Sequence, residues 1–504
     1  MFRRFGLILV AANVLWMAAC GGGGGGSSNS TITNVSVSCS PTTVPAGGTS
    51  QCSATVSGTG NFSPNVTWSA SAGTIDSSGL FTAPVVMSTL AVTVTATSTQ
   101  DTSKSGTATV TVNPSTTASN VAPLVVDAGP TGAEANIAYT TVTVCVPGTN
   151  QCQTIDHIQV DTGSSGLRLL SSVLTIPLPQ SNDSIGNPLA ECLIFLDGYV
   201  WGPVVTADVF IGGESAGSVP VHMMIPSSSS PPVPGSCSNQ TSGSNEGGSV
   251  SDLGSNGILG VGFLQTDCGV VCTTLNSQLP DWYYDCPASG CNATYVTLDQ
   301  EVANPVVFFS GDNNGVLIQL PAVPTGGSQS PTGSLIFGIG TQANNQLGSV
   351  NIYPVPNQNS ILNNVGDIIT TFNGHSYAYS FIDSGSNGLF FLDSSTTGIP
   401  TCQGFQGSSS WYCPSTSPDN LSATNQGQNN SGQPSGTSAD VNFSIENAGT
   451  LFQTSNTAWS TLGGPYGSPP VEFDWGLPFF FGRNVFTAID QIDTPAGPGP
   501  YVAY

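Results

Sequence analysis

Positive charge is the scarcest feature of this sequence: five Lys and Arg stand against 29 Asp and Glu in 504 residues, a formal net charge of −24. Two of the five, Arg3 and Arg4, sit at the extreme N-terminus; without them the charge is −24 − 2 = −26, and Lys104, Arg168 and Arg483 are the only strong cations. Such a chain repels phosphate backbones, which excludes nucleic acid as a partner. Histidine is almost as rare, and His157, His222 and His375 are too widely spaced for a transition-metal ligand set. No metal and no other cofactor is expected. After the first 20 residues no run is long and apolar enough to cross a bilayer as a helix, and helical periodicity is nearly absent. Charged residues make up only 7% of the chain. Ser, Thr, Asn and Gln must therefore cover most of the surface, so acid neutralises carboxylates without leaving a large positive charge, and tolerance of low pH is expected.

What is present begins with an export signal. Arg3 and Arg4, an apolar run from Phe5 to Trp16 and Met17-Ala18-Ala19-Cys20 have the order of a signal peptide. Residues 1–19 would be removed. The ending resembles a bacterial lipobox, which makes Cys20 the lipidated first residue of the mature protein, followed by a Gly/Ser tether over 20–30. Gly21 after the cysteine is similar to an outer-membrane sorting signal. The expected location is outside the cytoplasm, anchored by lipid to the bacterial outer membrane, on its periplasmic or outer face.

Setting Cys20 aside leaves 13 − 1 = 12 cysteines, an even number that favours up to six disulfides in an exported protein. Local spacing suggests Cys39 with Cys52, Cys145 with Cys152, Cys268 with Cys272, Cys286 with Cys291 and Cys402 with Cys413. That leaves Cys192 and Cys237 for each other, although spacing alone does not determine connectivity.

Over 31–114, segments such as Leu90-Ala-Val-Thr-Val-Thr and Ala108-Thr-Val-Thr-Val alternate apolar with small polar residues between Gly and Pro turns, the pattern of a small β-sandwich. The region resembles bacterial Ig-like modules and is expected to serve as a spacer. Cys39 and Cys52 are too close for an inter-sheet bridge and would form a local staple. A polar linker over 115–120 leads into a large, mainly β domain. Within it, 227–251 and 415–438 are rich in Ser, Gly, Asn and Pro and read as exposed loops.

An internal repeat carries the chemistry. Asp161-Thr-Gly-Ser-Ser-Gly-Leu-Arg-Leu-Leu aligns with Asp383-Ser-Gly-Ser-Asn-Gly-Leu-Phe-Phe-Leu, identical at six of ten positions, at an offset of 383 − 161 = 222. Each copy follows an apolar strand end, Ile158-Gln-Val160 or Phe381-Ile382. Each also reaches an apolar stretch ending in glycine after 260 − 161 = 482 − 383 = 99 residues: Ile258-Leu259-Gly260 and Phe480-Phe481-Gly482. One Asp-Thr-Gly-Ser in a Ser- and Gly-rich chain is an ordinary turn. Two with matched flanks imply duplicated lobes facing each other across a cleft.

With these motifs in place, 120–504 resembles the pepsin-like aspartic peptidases. Each of their lobes supplies an Asp-Thr/Ser-Gly-Thr/Ser turn with an apolar-apolar-Gly strand packed beneath it. The sequence is also similar to a group of bacterial secreted lipoproteins. The resemblance implies a mainly β, two-lobed fold, with an N-terminal lobe over 120–325 and a C-terminal lobe over 326–504. It implies that Asp161 and Asp383 are the catalytic pair, that Gly163 and Gly385 turn the backbone, and that the Ser164 and Ser386 hydroxyls bond the carboxylates. Thr162 and Ser384 would lock the two turns together. Phe195-Leu-Asp197-Gly198 looks like the flap hairpin, with Phe195 where the family usually carries a tyrosine; Tyr199 or Trp201 would replace it in another register. Arg168 stands where a tryptophan is usual, and either favours carboxylate ionisation from beside the pair or points into solvent.

Peptide hydrolysis without metal or covalent nucleophile needs one group to deprotonate water and another to protonate the carbonyl oxygen, and two adjacent carboxyls sharing a proton do both. The expected function is therefore an acid-favouring aspartic endopeptidase, monomeric and cofactor-free, that takes an extended peptide or protein substrate by strand-like pairing under the flap. The alternative is a weak or inactive pepsin-fold surface protein that binds a peptide, glycan or foreign enzyme in its cleft. Gly213-Glu-Ser-Ala-Gly217 fits the serine-hydrolase elbow pattern, but strand-like residues on both sides make it a hairpin turn.

Overall fold

Alternating apolar and polar residues build strands along almost the whole chain. The computed structural model describes residues 30–504 apart from 85, 87–88, 114–119, 196–197, 242, 274–280, 359–364, 405–406 and 467–471. The signal peptide, Cys20, most of the tether and Asp197 lie outside the described residues. Two compact units result, Met1–Pro114 and Ser115–Tyr504.

The smaller unit has two four-stranded sheets. One orders Thr31–Ser40, Thr49–Thr59, Leu80–Thr82 and Thr74–Ile75; the other orders Thr43–Pro45, Ser105–Asn113, Leu90–Ser98 and Val66–Ala70. Val44, Val92, Val94, Val110 and Val112 from one sheet pack with Cys39, Cys52 and Phe81 from the other. Cys39 and Cys52 are directly opposed on neighbouring antiparallel strands, so their disulfide staples one sheet locally.

In the larger unit each repeat copy folds alike. The Cys152–Asp161 strand runs parallel to Gly257–Val261, with Asp161 opposite Gly260, and Gly257–Val261 runs antiparallel to Ser165–Leu170. His375–Ile382 runs parallel to Phe473–Trp475, which runs antiparallel to Leu389–Phe391. In both copies the strand after the Asp turn takes a parallel partner on its other side: Glu214–Met224 in the first, Gly463–Gly464 in the second. A shared sheet joins the halves, in which Val121–Val125 pairs with Thr332–Phe337, Gly315–Gln319 lies beside it, and Asn484–Ala488 and Tyr501–Ala503 continue it. The expected lobe boundary at 325/326 falls inside the hairpin formed by Gly315–Gln319 and Thr332–Phe337.

Two expectations are corrected. Pairing of Ile382 with Trp475 makes Phe473-Asp474-Trp475-Gly476 the counterpart of the first-copy stretch that places Gly260 opposite Asp161. The spacing in the second copy is therefore 476 − 383 = 93 residues rather than 99. Phe480 ends a 3-10 turn over Leu477–Phe480, beyond the strand. The supposed loop over 415–438 instead contributes two long strands, Asp419–Gln428 and Pro434–Ile445. The 227–251 segment holds only short elements, including Gly235–Ser238, which buries Cys237.

Six disulfides close: Cys39–Cys52, Cys145–Cys152, Cys192–Cys237, Cys268–Cys272, Cys286–Cys291 and Cys402–Cys413. They are consistent with an extracytoplasmic, oxidising compartment. Among the described residues no helix is long and apolar enough to cross a membrane.

Candidate active site

Asp161 ends its strand and Asp383 directly follows its own, so the duplicated geometry brings the two turns together. The Gly163 amide donates to Asp161 Oδ1 at 2.7 Å and to Asp383 Oδ1 at 2.9 Å, one N–H serving both carboxyl groups. The Gly385 amide donates to Asp383 Oδ1 at 2.7 Å. Ser164 Oγ bonds Asp161 Oδ2, and Ser386 Oγ donates to Asp383 Oδ2 at 3.0 Å. Glycine is required at both turns by space: a Cβ on Gly163 would lie 2.8 Å from Asp383 Cγ, and one on Gly385 would lie 2.6 Å from Asp161 Oδ1.

The turns also grip each other from below. Ser384 N donates to Thr162 Oγ1 at 2.9 Å, and Thr162 N donates to Ser384 Oγ at 3.1 Å. The same hydroxyls reach across to the backbone preceding the opposite aspartate, Ser384 Oγ to Val160 O at 2.8 Å and Thr162 Oγ1 to Ile382 O at 3.3 Å. With Thr162 and Ser384 both buried, these reciprocal bonds fix the carboxyls without using any of their oxygens. Burial, then the facing Asp161 and then Asp474, push Asp383 well above the ordinary carboxyl range. Like charges held this close resist joint ionisation, so the arrangement can hold one proton between two carboxyls.

Arg168 neither flanks this pair nor meets solvent. It is fully buried, and its Nη2 donates to Glu191 Oε1 at 2.8 Å and Asp267 Oδ2 at 2.9 Å, while Nη1 donates to Ser165 O at 2.9 Å. His222 Nδ1 lies 2.8 Å from Glu191 Oε2, and Tyr283 Oη donates to Asp267 Oδ1 at 2.7 Å. Burial alone would raise Glu191, but Arg168 and His222 outweigh it and hold the carboxyl below its ordinary value. The guanidinium therefore ties the strand after the first aspartate turn to Glu191 on the Leu189–Ile194 strand and to Asp267.

That hairpin joins Leu189–Ile194 to Gly198–Ile211, with the Phe195 amide donating to Gly198 O at 2.8 Å at its tip. Phe195 packs against Leu170, Leu193, Val200 and Met224. Neither alternative residue stands in for a flap tyrosine. Tyr199 is buried in a cluster with Cys192, Trp201 and Tyr284, and the Trp201 indole donates to Pro231 O at 2.8 Å. Both flanks of the hairpin are already paired, Leu189–Ile194 with Tyr283–Asp285 and Gly198–Tyr199 with Ser244–Asn245. The edges at Leu189–Glu191 and Gly198–Tyr199 are therefore closed to a further strand, which the expected strand-like pairing of a peptide along the hairpin would need.

Gly212 and Gly213 form the turn between two paired strands, and Ser215 lies within the second, opposite Phe210, so the elbow-like motif is a hairpin. His157 stands 3.4 Å from Asp127 and from Asp156, away from the pair, and His375 is exposed. Among the described residues no group of His, Cys, Asp or Glu is arranged to hold a metal ion. Sequence reasoning missed Asp474, which sits on the strand beneath Asp383. In the sequence its signal is a single charge inside an otherwise apolar stretch.

The family model described as "Protein of unknown function (DUF3443)" matches residues 116–504. No curated protein matches the chain. Among solved structures, an aspartic proteinase from Irpex lacteus is similar at 16% identity and a TM-score of 0.44, covering 76% of this chain and 96% of that one.

Proposed function

Because the chain belongs to that family, whose description assigns no reaction, we propose from the site itself that it is an aspartic endopeptidase. The observation that carries this reading is the single Gly163 N–H shared by two carboxyls that the Thr162 and Ser384 grip holds together. Water lying between Asp161 and Asp383 gives a proton to the ionised carboxyl as its oxygen attacks the peptide carbonyl carbon. The protonated carboxyl gives its proton to the carbonyl oxygen. As the tetrahedral intermediate collapses, the carboxyl that took the water's proton passes it to the leaving nitrogen, the C–N bond breaks, and one of the intermediate's hydroxyls returns a proton to the other carboxyl, restoring the one-proton pair. Every step uses groups of the chain and one water, so no cofactor is needed. The substrate is an extended peptide or unfolded protein, and the protein acts as a monomer held by lipid on Cys20 at the outer membrane.

The second reading, a cleft-binding surface protein without turnover, is favoured by Phe195, which lacks a flap hydroxyl, and by the occupied flanks of the hairpin. Turnover separates the two. The peptidase reading predicts cleavage of a quenched peptide library by wild type in acid and none by Asp161→Asn. An absence of cleavage by folded wild type favours the second reading.

A further inference from the structure

Beside Asp383 the sheet places carboxyls on both sides of one aromatic ring. Phe381, two residues before Asp383, pairs with Asp474 on one neighbouring strand. On the other side Ile368 pairs with Ser380 in antiparallel register, which sets Asp367 beside Phe381. Ile368, Ser380, Ile382, Phe473 and Trp475 are buried on one face of these strands. Alternation therefore puts Asp367, Phe381, Glu472, Asp474 and Asp383 together on the other, with Phe381 and Asp383 roughly 7 Å apart along the chain. Asp367, Phe381 and Glu472 are half-buried, and the Tyr466 ring meets Phe381 edge-on at a centroid distance of 6.3 Å. Asp474 lies deepest at 2% exposure, and among the described residues its Oδ1 has no hydrogen-bond partner. The first copy differs: Gln159 stands in place of Phe381, with Ile258 opposite it.

A buried carboxyl without a partner is costly, and neighbouring carboxyls make it more so. Burial, then Glu472, pushes Asp367 up to about 8, and burial pushes Asp474 well above the ordinary range. A cation seated over Phe381 would offset that cost, attracted by the ring and by the carboxyls around it. Composition favours the same ligand. A chain of formal charge −24 draws cationic peptides toward it. Of the three strong cations after residue 20, Arg168 is fully buried and Arg483 lies over the Phe479 ring at 4.5 Å, leaving Lys104 in the smaller unit. A peptidase that selects lysine or arginine therefore finds little to cut in itself.

We propose that this face is a subsite for a lysine or arginine side chain of the substrate, with Asp367, Glu472 and Asp474 around its charge and Phe381 against it. The proposal rests on the peptidase reading and narrows its substrate class to cationic peptides. Isomeric quenched peptides in which Lys and norleucine exchange places keep the total charge constant, so they separate a local site from the field of the whole chain. For full-chain wild type, Lys at one position close to the cut bond is expected to raise kcat/KM about tenfold over norleucine there. Glu472→Gln and Asp474→Asn are each expected to lower that ratio by about threefold or more. A wild-type ratio near one at every position, or a ratio that neither variant lowers, overturns the proposal.

A second readout needs no turnover. Fluorescence anisotropy with full-chain Asp161→Asn, which leaves the peptides uncut, is expected to favour the same Lys isomer. That preference is expected to widen from pH 5 to pH 7, because the cation binds the ionised forms of Asp367 and Asp474, with Glu472 and Asp383 beside them and the Tyr466 phenol neutral throughout. Equal binding of the isomers, or a preference that narrows, overturns the site whatever the cleavage assay shows. A Lys preference in binding beside a folded wild type that cuts neither isomer sinks the peptidase reading alone.

Discussion

Replacing Arg168 with Met removes a buried charge and keeps most of the side-chain volume, which isolates the electrostatic role of this residue. Its guanidinium holds Glu191 and Asp267 at 2.8 and 2.9 Å, and all three are buried. After substitution only His222 opposes Glu191, and Asp267 keeps the Tyr283 hydroxyl but no cation. Breaking a buried ion pair from one side costs about 3–5 kcal/mol, a large part of the roughly 5–15 kcal/mol that holds a folded protein. In the wild type Glu191 lies below its ordinary 4.5, so its contribution is present above that value and fails only as pH falls through the depressed one. Burial and the neighbouring Glu191 already hold Asp267 well above its ordinary value with Arg168 in place. Without Arg168 burial dominates at Glu191 as well, its sign reverses, and the penalty is largest in mild alkali and shrinks as it takes up a proton toward pH 4. Urea unfolding of wild type and Arg168→Met at pH 8 and pH 5, followed by tryptophan fluorescence, measures both quantities. A loss under about 1 kcal/mol at pH 8, or one that does not change with pH, refutes the reasoning.

Two further predictions concern the pair and the acidic character of the chain. Gly385→Ala places a methyl group 2.6 Å from Asp161 Oδ1, so displacement of that carboxyl is expected to lower peptide cleavage about 100-fold in a protein that still melts cooperatively. Unchanged cleavage would contradict the close approach. Burial raises Glu214 and Glu301 to about 7 and Asp367 to about 8. Raised carboxyls favour the fold fully below their unfolded values near 4 and lose that contribution as pH rises through 7 to 8. The melting temperature is therefore expected to fall between pH 5 and pH 8.5, and a rise would contradict it.

The aspartate turns were legible because their chemistry is contiguous: Asp-x-Gly-Ser places a carboxyl, a sharp bend and a hydroxyl within four residues, and the copy at Asp383 repeats it. The strand beneath Asp383 was not, because Asp474 interrupts its apolar pattern while Phe480-Phe481-Gly482 supplies a better imitation six residues on. The long hairpin Asp419–Gln428 with Pro434–Ile445 escaped notice for a related reason. Part of its inward face is polar, with Asn425 accepting from Thr370 Oγ1 at 2.8 Å and Gln428 donating to Ala378 O at 2.7 Å. Hydrophobic alternation is silent where hydrogen bonds do the packing. The Arg168 centre joins residues 168, 191, 222 and 267, which are remote in sequence, so only the fold reveals that Arg168 meets two buried carboxyl groups.

The proposed function requires Asp161 and Asp383 to hydrolyse peptides together. Cleavage of a denatured protein by the full chain across pH 3 to 8, beside folded Asp161→Asn and Asp383→Asn, tests it most directly. Wild-type cleavage in the acid half of the range, and none by either variant, is the expected result. Cleavage that survives either substitution, or a folded wild type that cuts nothing at any pH, contradicts it.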